Sequence, residues 1–372
     1  MLRPNQWPMA AATLGKQSAM HDASPLSVES YGARNSAMSA ADGPFLAADV
    51  GGTHARIGLI QPRTDTAVAN DEPLRILDYR KYACASHASL SEILLDYLRH
   101  SEARPVGACV ACAGYALGDD LINANLPWKV SISALRRDLG LERVELVNDF
   151  QAIAYATHFH PLADAVQVAG SVAIDLSQPR LVVGPGTGLG AAVLMPAEPR
   201  PAVLRTEAGH AAIAPRTALE MQVVRHLGRG VAHVPNEQVL SGPGLLNLYR
   251  AICEIRAIPA RFGSPMEVTT AALDGSDAIA AECVACFCAW LGGLVGDLVV
   301  LFGAYGGVSL AGGFLPQILP LLQRSEFTQR FQDKGALRTV LERVPVHVIE
   351  HGQLGVSGAA HWFMDNGMAA TR

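Results

Sequence analysis

The sequence has few charged residues and no concentration of basic ones. Of its 372 residues, 17% are Asp, Glu, Lys or Arg and 6% are aromatic, and the formal net charge is −5. Because nucleic-acid surfaces need clustered Lys and Arg, this composition argues against a nucleic-acid partner. Half of the residues are hydrophobic, which is typical of a compact enzyme with room for two domains. Function is therefore expected in a small-molecule site.

Long apolar runs and an even set of cysteines are also lacking. The longest apolar stretches are broken by Gly, Asp or Pro, which argues against a membrane span or a secretory leader. Seven cysteines, an odd number, predict a reduced, cytoplasmic protein. The spacings Cys109/Cys112 and Cys283/Cys286 are those of zinc motifs, but the first lies in a predicted strand and the second in an apolar helix. Buried thiols are the favoured interpretation.

Residues 1–44 differ in composition from the rest of the chain. They are rich in Ala, Ser, Met and Pro and show no sustained periodicity. We expect either a disordered extension or an upstream start codon, since Met38 stands just before the first predicted strand.

Two glycine-rich turns interrupt strand-like apolar runs, one in each half of the chain. The first is Gly51-Gly52-Thr53 and the second spans 184–190. Such turns can aim consecutive backbone N–H groups at one point, which is how proteins hold phosphate. Neither turn ends in Gly-Lys-Ser/Thr, which excludes a Walker A loop. Two phosphate-holding hairpins predict a two-lobed nucleotide clamp.

A dinucleotide-binding loop is the competing interpretation of the second turn. Gly186-x-Gly188-x-x-Ala191 fits its spacing loosely. However, that motif must open a helix, and here a short apolar run follows and ends at Pro196. The dinucleotide interpretation is therefore disfavoured.

The remaining pattern alternates strands and helices. Apolar spacing predicts a helix from Leu90, a second helix starts near Ser131 and stops at Gly140, and a capping box at Thr217 starts a third. The predicted strands lie at 108–113, 143–147, near 202, near 211, at 308–311 and at 346–349. The strand at 308–311 is expected to break at Gly312-Gly313 into another helix. The same order of elements recurs in both halves, which predicts an α/β protein.

Two aspartates stand at strand ends. Asp49 lies inside an apolar strand, where a carboxylate must be paired, hydrogen-bonded or near a metal. Asp149 follows the strand 143–147 and precedes a helix, so taken alone it is best interpreted as a helix N-cap.

Together these segments resemble the bacterial glucokinases of the sugar-kinase/actin superfamily. The resemblance rests on blocks that follow the family's order, at 49–56, 146–150, 184–190, 207–210, 237–245 and 310–313. His54 stands where Asn is common and Ala208 where Gly is common. The cysteine-containing zinc motif of the repressor/kinase (ROK) branch does not follow Gly209-His210, which favours the branch without zinc.

The resemblance implies a two-lobed, ribonuclease H-like α/β fold with mixed sheets flanked by helices. It implies that Asp149 is the general base and that Mg²⁺ lies near Asp49. The ATP phosphates and adenosine would contact Gly51, Gly52, Thr53, Gly186, Thr187, Gly188, Gly312 and Gly313. Glucose would contact Asn125, Asn148, Glu207, His210 and Glu237.

The expected organisation is a small domain of 45–158 plus 355–372 and a large domain of 159–354. Glucose and ATP are the expected small-molecule substrates, the chain is expected to form a homodimer, and neither nucleic acid nor membrane is an expected partner. Three alternatives stay open: a kinase for another hexose or an N-acetylated amino sugar, a sugar-responsive regulator without turnover, and ADP or polyphosphate as the phosphoryl donor.

Overall fold

The computed structural model describes residues 43–63, 74–101, 103–122, 126–160, 164–350 and 352–367, with the backbone alone at 115–117 and 367. Nearly all of the extension predicted at 1–44 and the candidate sugar ligand Asn125 lie outside the described residues.

The first sheet has five strands around a central hairpin. In chain order they are β1 (Phe45–Val50), β2 (His54–Pro62), β3 (Leu74–Ala83), β4 (Gly107–Cys112) and β8 (Arg143–Asn148). The strand order is β3-β2-β1-β4-β8, with antiparallel pairing among the first three and parallel pairing from β1 to β4 and from β4 to β8. In the parallel part, Val50, Cys112 and Asn148 stand in one row. The carboxyl ends of three strands therefore meet at one edge.

Two pairs of helices cover the two faces of this sheet. Helices α1 (Leu90–Arg99) and α2 (Ile132–Leu139) pack on one face, and α3 (Asp149–Phe159) and α11 (Leu354–Gly367) on the other. The α2 boundaries agree with the prediction, because the Ser131 side chain caps its start and Gly140 ends it with φ 66°. Cys109 and Cys112 belong to the cores on opposite faces, as their spacing predicts. A small antiparallel sheet of β5 (Tyr115–Leu117), β6 (Asp120–Ile122) and β7 (Val130–Ser131) lies between β4 and α2 in the chain.

The second sheet repeats the topology of the first and adds one strand. Its members are β9 (Val166–Ala169), β10 (Arg180–Pro185), β11 (Leu189–Met195), β12 (Ala202–Thr206), β13 (Gly307–Ala311) and β14 (Val346–Ile349). The order is β12-β11-β10-β13-β14-β9, so the hairpin β10–β11 corresponds to β1–β2 and the parallel strands β13 and β14 correspond to β4 and β8. The predicted recurrence of elements is confirmed.

The helices of the second half form its largest core together with this sheet. They are α4 (Ala218–Leu227), α5 (Gly242–Ile255), α6 (Pro265–Leu273), α7 (Ala278–Phe302), α8 (Leu319–Arg324), α9 (Phe327–Gln332) and α10 (Arg338–Leu341). The capping box predicted at Thr217 and Glu220 is present at the start of α4. Helix α7 has the length and apolar composition of a membrane span, but most of its apolar window is buried in the core of the protein.

Two sequence predictions are wrong in this half. The strand expected near Ala211 is a single 3-10 turn over Ala208–His210 followed by an isolated bridge between Ala212 and Pro235. The helix expected directly after Gly312-Gly313 does not form there, since turns lead to α8 at Leu319. In both places glycine and proline interrupt regular hydrogen bonding. The predicted division into a small and a large domain stays a prediction.

Candidate active site

Cys84 holds the first glycine turn in place through two hydrogen bonds. The backbone N–H of Cys84 donates to the carbonyl of Thr53 at 3.0 Å, and its thiol donates to the carbonyl of Gly51 at 3.3 Å. Gly51 N–H closes the turn onto the carbonyl of His54 at 3.0 Å. Because Cys84 is buried and occupies both carbonyls, and the Gly51 N–H is used within the turn, the N–H groups left for a ligand are those of Gly52 and Thr53.

Asp49 is the last residue but one of β1, a strand that is buried along its whole length, and it lies two positions before this turn. Its residue is only 4% exposed, and its Oδ2 accepts a hydrogen bond from Arg56 Nη1 at 3.1 Å, so the carboxylate is paired as the sequence requires. A Cβ built at Gly355, in the first turn of α11, would lie 2.6 Å from Asp49 Cγ. The absence of a side chain at 355 therefore makes room for the Asp49 carboxylate.

Asn148 and Asp149 stand where β8 passes into α3. Asn148 is the N-cap, its Oδ1 accepting from Gln151 N–H at 3.1 Å. Asp149 is the first residue of α3, and its Oδ1 accepts from Phe150 N–H at 2.9 Å. The prediction that Asp149 is the N-cap, which was made from its local sequence alone, is therefore wrong, because Asn148 is the cap. Because Asn148 satisfies the helix end, one oxygen of the Asp149 carboxylate is left for other chemistry.

The pKa of Asp149 is raised to about 7. Burial of the carboxylate among protein atoms is the main cause and the negative charge of Asp49 is the second, while the N–H of Phe150 acts in the opposite direction. The charge of Glu207 adds a smaller increase. A carboxylate with this pKa can take up a proton near neutral pH, which is the property of a general base.

The second glycine turn follows the same plan at the end of β10. Gly186 N–H donates to the carbonyl of Gly188 at 2.7 Å, and Gly242 N–H, at the start of α5, donates to the carbonyl of Gly186 at 2.8 Å. Gly186 and Thr187 are exposed. The turn therefore sits beside a helix N-terminus, whose partial positive charge favours anions.

The Gly312-Gly313 turn lies next to this second turn. Strand β13 pairs with β10, with Leu310 opposite Val183, and a Cβ at Gly312 would lie 2.7 Å from the carbonyl oxygen of Pro185. At Gly313 a Cβ would meet nothing within 4 Å, so this face of the turn is open. The two predicted nucleotide segments of the second half are therefore neighbours at one sheet edge.

Two of the predicted sugar ligands, His210 and Glu237, come together beside the second hairpin, and the backbone carbonyl of Glu207 accepts from His210 N–H at 3.0 Å. Glu237 Oε1 lies 3.7 Å from His210 Nδ1, and Glu237 Oε2 accepts weakly from Leu189 N–H at 3.4 Å. A side chain at Gly209 would overlap the carbonyl of Leu189 and come within 3.3 Å of Glu237 Oε2. The close approach of these segments is what requires glycine at 209.

Sequence reasoning missed two parts of this site. Arg56 pairs with Asp49, and the signal was available, because a four-residue turn at 51–54 places the two residues opposite each other in the hairpin. Phe150 places its ring against Gly184 and Gly190, which connects the start of α3 to the second hairpin. No local pattern predicts that contact.

Two hairpin-led sheets with phosphate-type turns, and a carboxylate of raised pKa at the start of a helix, define a kinase of the actin-like sugar-kinase fold. The glucokinase family profile matches residues 46–366, and the chain belongs to the glucokinase family. The predictions of this family and of the fold class are confirmed.

Individual relatives agree with this assignment. A glucokinase-like protein of Xylella fastidiosa is 47% identical over 323 residues, which cover 86% of this chain and 95% of that protein. A glucokinase of Stenotrophomonas maltophilia is 39% identical over 332 residues, covering 88% and 97%. The crystal structure of a glucokinase from an Antarctic psychrotroph superposes with a TM-score of 0.74 at 33% identity, covering 87% of this chain and 99% of that one.

Proposed function

We propose that the chain transfers the γ-phosphoryl group of ATP to the 6-hydroxyl of D-glucose. The observation that carries this proposal is the position of Asp149, a partly buried carboxylate at the edge where three strands of the first sheet end and the first glycine turn follows β1. Its pKa, raised to about 7 mainly by burial, supports the same role. In the reaction the glucose O6–P bond forms, the bond from phosphorus to the bridging oxygen of ADP breaks, and the O6 proton passes to Asp149. The rest of the protein's contribution is to position the two substrates, which is what phosphoryl transfer mainly needs.

The two glycine turns are the proposed phosphate sites. Gly51, Gly52 and Thr53 would hold the phosphates from the first sheet, and Gly186, Thr187 and Gly188 from the second. At the first turn, the carbonyls that would repel an anion are bonded to Cys84. At the second turn, the N-terminus of α5 lies beside the turn and attracts an anion. Gly312 and Gly313, on the open face next to the second turn, would allow the adenosine to approach the backbone.

Asp49 is the proposed protein group for Mg²⁺. Within the described residues no cluster of three or more His, Cys, Asp or Glu could hold a metal alone. One carboxylate two residues before a phosphate-type turn fits Mg²⁺, which keeps several waters and binds through substrate phosphates. Bound there, the ion would neutralise developing phosphate charge. Arg56 holds the Asp49 carboxylate in place.

The sugar is proposed to bind where Glu207, His210 and Glu237 meet, with Asn148 facing it from the first sheet. Each hexose hydroxyl both donates and accepts, so carboxylates, an imidazole and an amide can complete its hydrogen bonds. The influence of Glu207 on the pKa of Asp149 supports a sugar site that adjoins the base.

A coupled assay across hexoses and phosphoryl donors tests the proposal. Glucose with ATP is expected to give the highest kcat/KM, with release of ADP and glucose 6-phosphate. A higher value for an N-acetylated amino sugar or another hexose would replace glucose, and a preference for ADP or polyphosphate would replace ATP. Sugar binding without turnover with any donor would instead favour the sugar-responsive regulator.

The homodimer and the cytoplasmic location stay predictions. Light scattering coupled to gel filtration would measure the mass of the particle in solution, and two chains per particle is the expected result.

A further inference from the structure

Asn236 is a buried polar residue between the two segments that carry the sugar-site carboxylates. It is 4% exposed and directly precedes Glu237. Its Nδ2 donates to the carbonyl of Ala208 at 3.0 Å, and Ala208 directly follows Glu207. One side-chain hydrogen bond therefore connects the residue next to one carboxylate with the residue next to the other.

The backbone of Asn236 strengthens the same connection. Its N–H donates to the carbonyl of Ala211 at 2.9 Å, on the far side of His210. Its own carbonyl accepts from Leu240 N–H at 2.7 Å and from Val239 N–H at 3.1 Å, which fixes the turn that carries Glu237. The two segments are thus held on both sides of His210.

Packing alone does not fix the Asn236 side chain. It borders a small, partly open pocket of about 50 Å³ that is also lined by Trp290 and Arg330. On the opposite side, the segment at Gly209 is pressed against the carbonyl of Leu189, where no side chain would fit. Because one side is tight and the other borders a pocket, the hydrogen bond to Ala208 sets the separation at the Glu207 end, and the backbone bond from Asn236 N–H to Ala211 sets it beyond His210.

We propose that Asn236 is a positioning residue that sets the separation between Glu207 and Glu237, and so the affinity for the sugar. The inference rests on the sugar-binding role proposed above for those carboxylates. Loss of the amide would leave the carbonyl of Ala208 without its side-chain donor and let the segments move apart at the Glu207 end, while the backbone bond to Ala211 still holds them beyond His210. Recognition of a hexose by two carboxylates at once depends on that separation.

The test is Asn236→Leu, which removes the donor and keeps the branched shape of the side chain, beside a pocket that can accept its somewhat larger volume. Glucose affinity is measured by isothermal titration calorimetry, and kcat and both KM values by coupled assay. We expect glucose binding at least ~10-fold weaker, a similar rise in KM for glucose, kcat at saturating glucose within about 3-fold, and an unchanged KM for ATP. Asn236→Ala is measured in parallel and decides the question if the leucine variant does not fold.

Thr269→Val is the matched control. It also removes one buried side-chain hydrogen bond to a carbonyl, from Thr269 Oγ1 to Met266 at 3.0 Å in α6. We expect it to keep the wild-type glucose affinity. Unchanged glucose affinity in a folded Asn236 variant would overturn the inference, as would an equal loss in Thr269→Val. Failure of the wild-type chain to bind glucose would instead overturn the proposed function.

Discussion

The ring of Phe150 lies directly over the backbone of Gly190. A Cβ built at 190 would come within 2.6 Å of Phe150 Cγ and still closer to the two ring atoms beyond it. Phe150 follows Asp149 and Gly190 lies in β11, just after the second phosphate turn. The contact therefore sets the position of the proposed base relative to the second of the proposed phosphate sites.

We predict that Gly190→Ala lowers kcat at least ~10-fold. The added methyl group must displace the ring, and Asp149 is the next residue along the chain, so a small shift at the base is unavoidable. The free energy of unfolding should fall by about 1–3 kcal/mol, as expected for overpacking. Steady-state kinetics and urea unfolding measure the two effects.

A second substitution separates the ring contact from other causes. Phe150→Leu combined with Gly190→Ala should recover part of the lost stability, because leucine presents less bulk to position 190. Gly263→Ala is the control, since a Cβ there meets only Glu267 Oε2 at 3.8 Å, and wild-type kcat is expected. Equal kcat in Gly190→Ala and Gly263→Ala would contradict the positioning role of the contact.

Asp149→Asn should abolish most phosphoryl transfer and leave glucose binding within a few fold. Asparagine can still accept the hydrogen bond from Phe150 N–H, so the local structure is kept while the proton acceptor is lost. General bases typically contribute about 10²–10⁴ in rate, which is the expected loss in kcat. Single-turnover kinetics and calorimetric glucose titration measure the two quantities. Near-normal turnover would exclude Asp149 as the base.

The raised pKa of Asp149 predicts opposite effects of pH on activity and stability. For the free enzyme, kcat/KM should fall as the pH drops through about 7, because the protonated carboxyl cannot accept the O6 proton. The folded pKa lies above the ordinary value of 3.8, so the ionised carboxylate opposes folding above pH 7, and this cost disappears as the pH falls toward 4.

Comparison with Asp149→Asn isolates the effect on stability. The variant should be the more stable protein at pH 8, by at most about 4 kcal/mol, and the difference should shrink toward pH 5. Urea unfolding without ligands at both pH values measures it. A variant less stable than wild type at pH 8 would show that the carboxylate is not destabilised by its surroundings.

Much of the fold could be predicted because local signals agreed with tertiary structure. Gly140 ends α2 in a left-handed conformation, and Glu220 completes the capping box of α4, each from contacts within a few residues. The segment near Ala211 was predicted wrongly because its bridge partner, Pro235, is distant in sequence. Pairing of that kind has no short-range pattern.

In the candidate site, too, local features could be predicted from the sequence and contacts between distant segments could not. The turns at 51–53 and 186–188 could be predicted from the local sequence, because glycines directly after an apolar run indicate a tight turn at the end of a strand. Glu207 and Glu237 were identified only through the family resemblance, since thirty positions of chain separate them. The roles of Phe150 and Asn236 depend on contacts with Gly190 and Ala208 that only the folded chain creates.

Glu207→Gln should weaken glucose binding and also shift the pH dependence. The residue is exposed, so its loss should not disturb the core. We expect a rise of about 10-fold or more in KM for glucose, with KM for ATP unchanged, since the carboxylate proposed to accept from sugar hydroxyls is replaced by a weaker, neutral acceptor. Because the charge of Glu207 contributes to the raised pKa of Asp149, the acid limb of kcat/KM should move to lower pH.

Glu342→Gln, which alters an exposed pair with Arg338 on α10, is the control and should change neither quantity. An unchanged KM for glucose would remove Glu207 from the sugar site, and an unshifted acid limb would show that its charge does not reach Asp149.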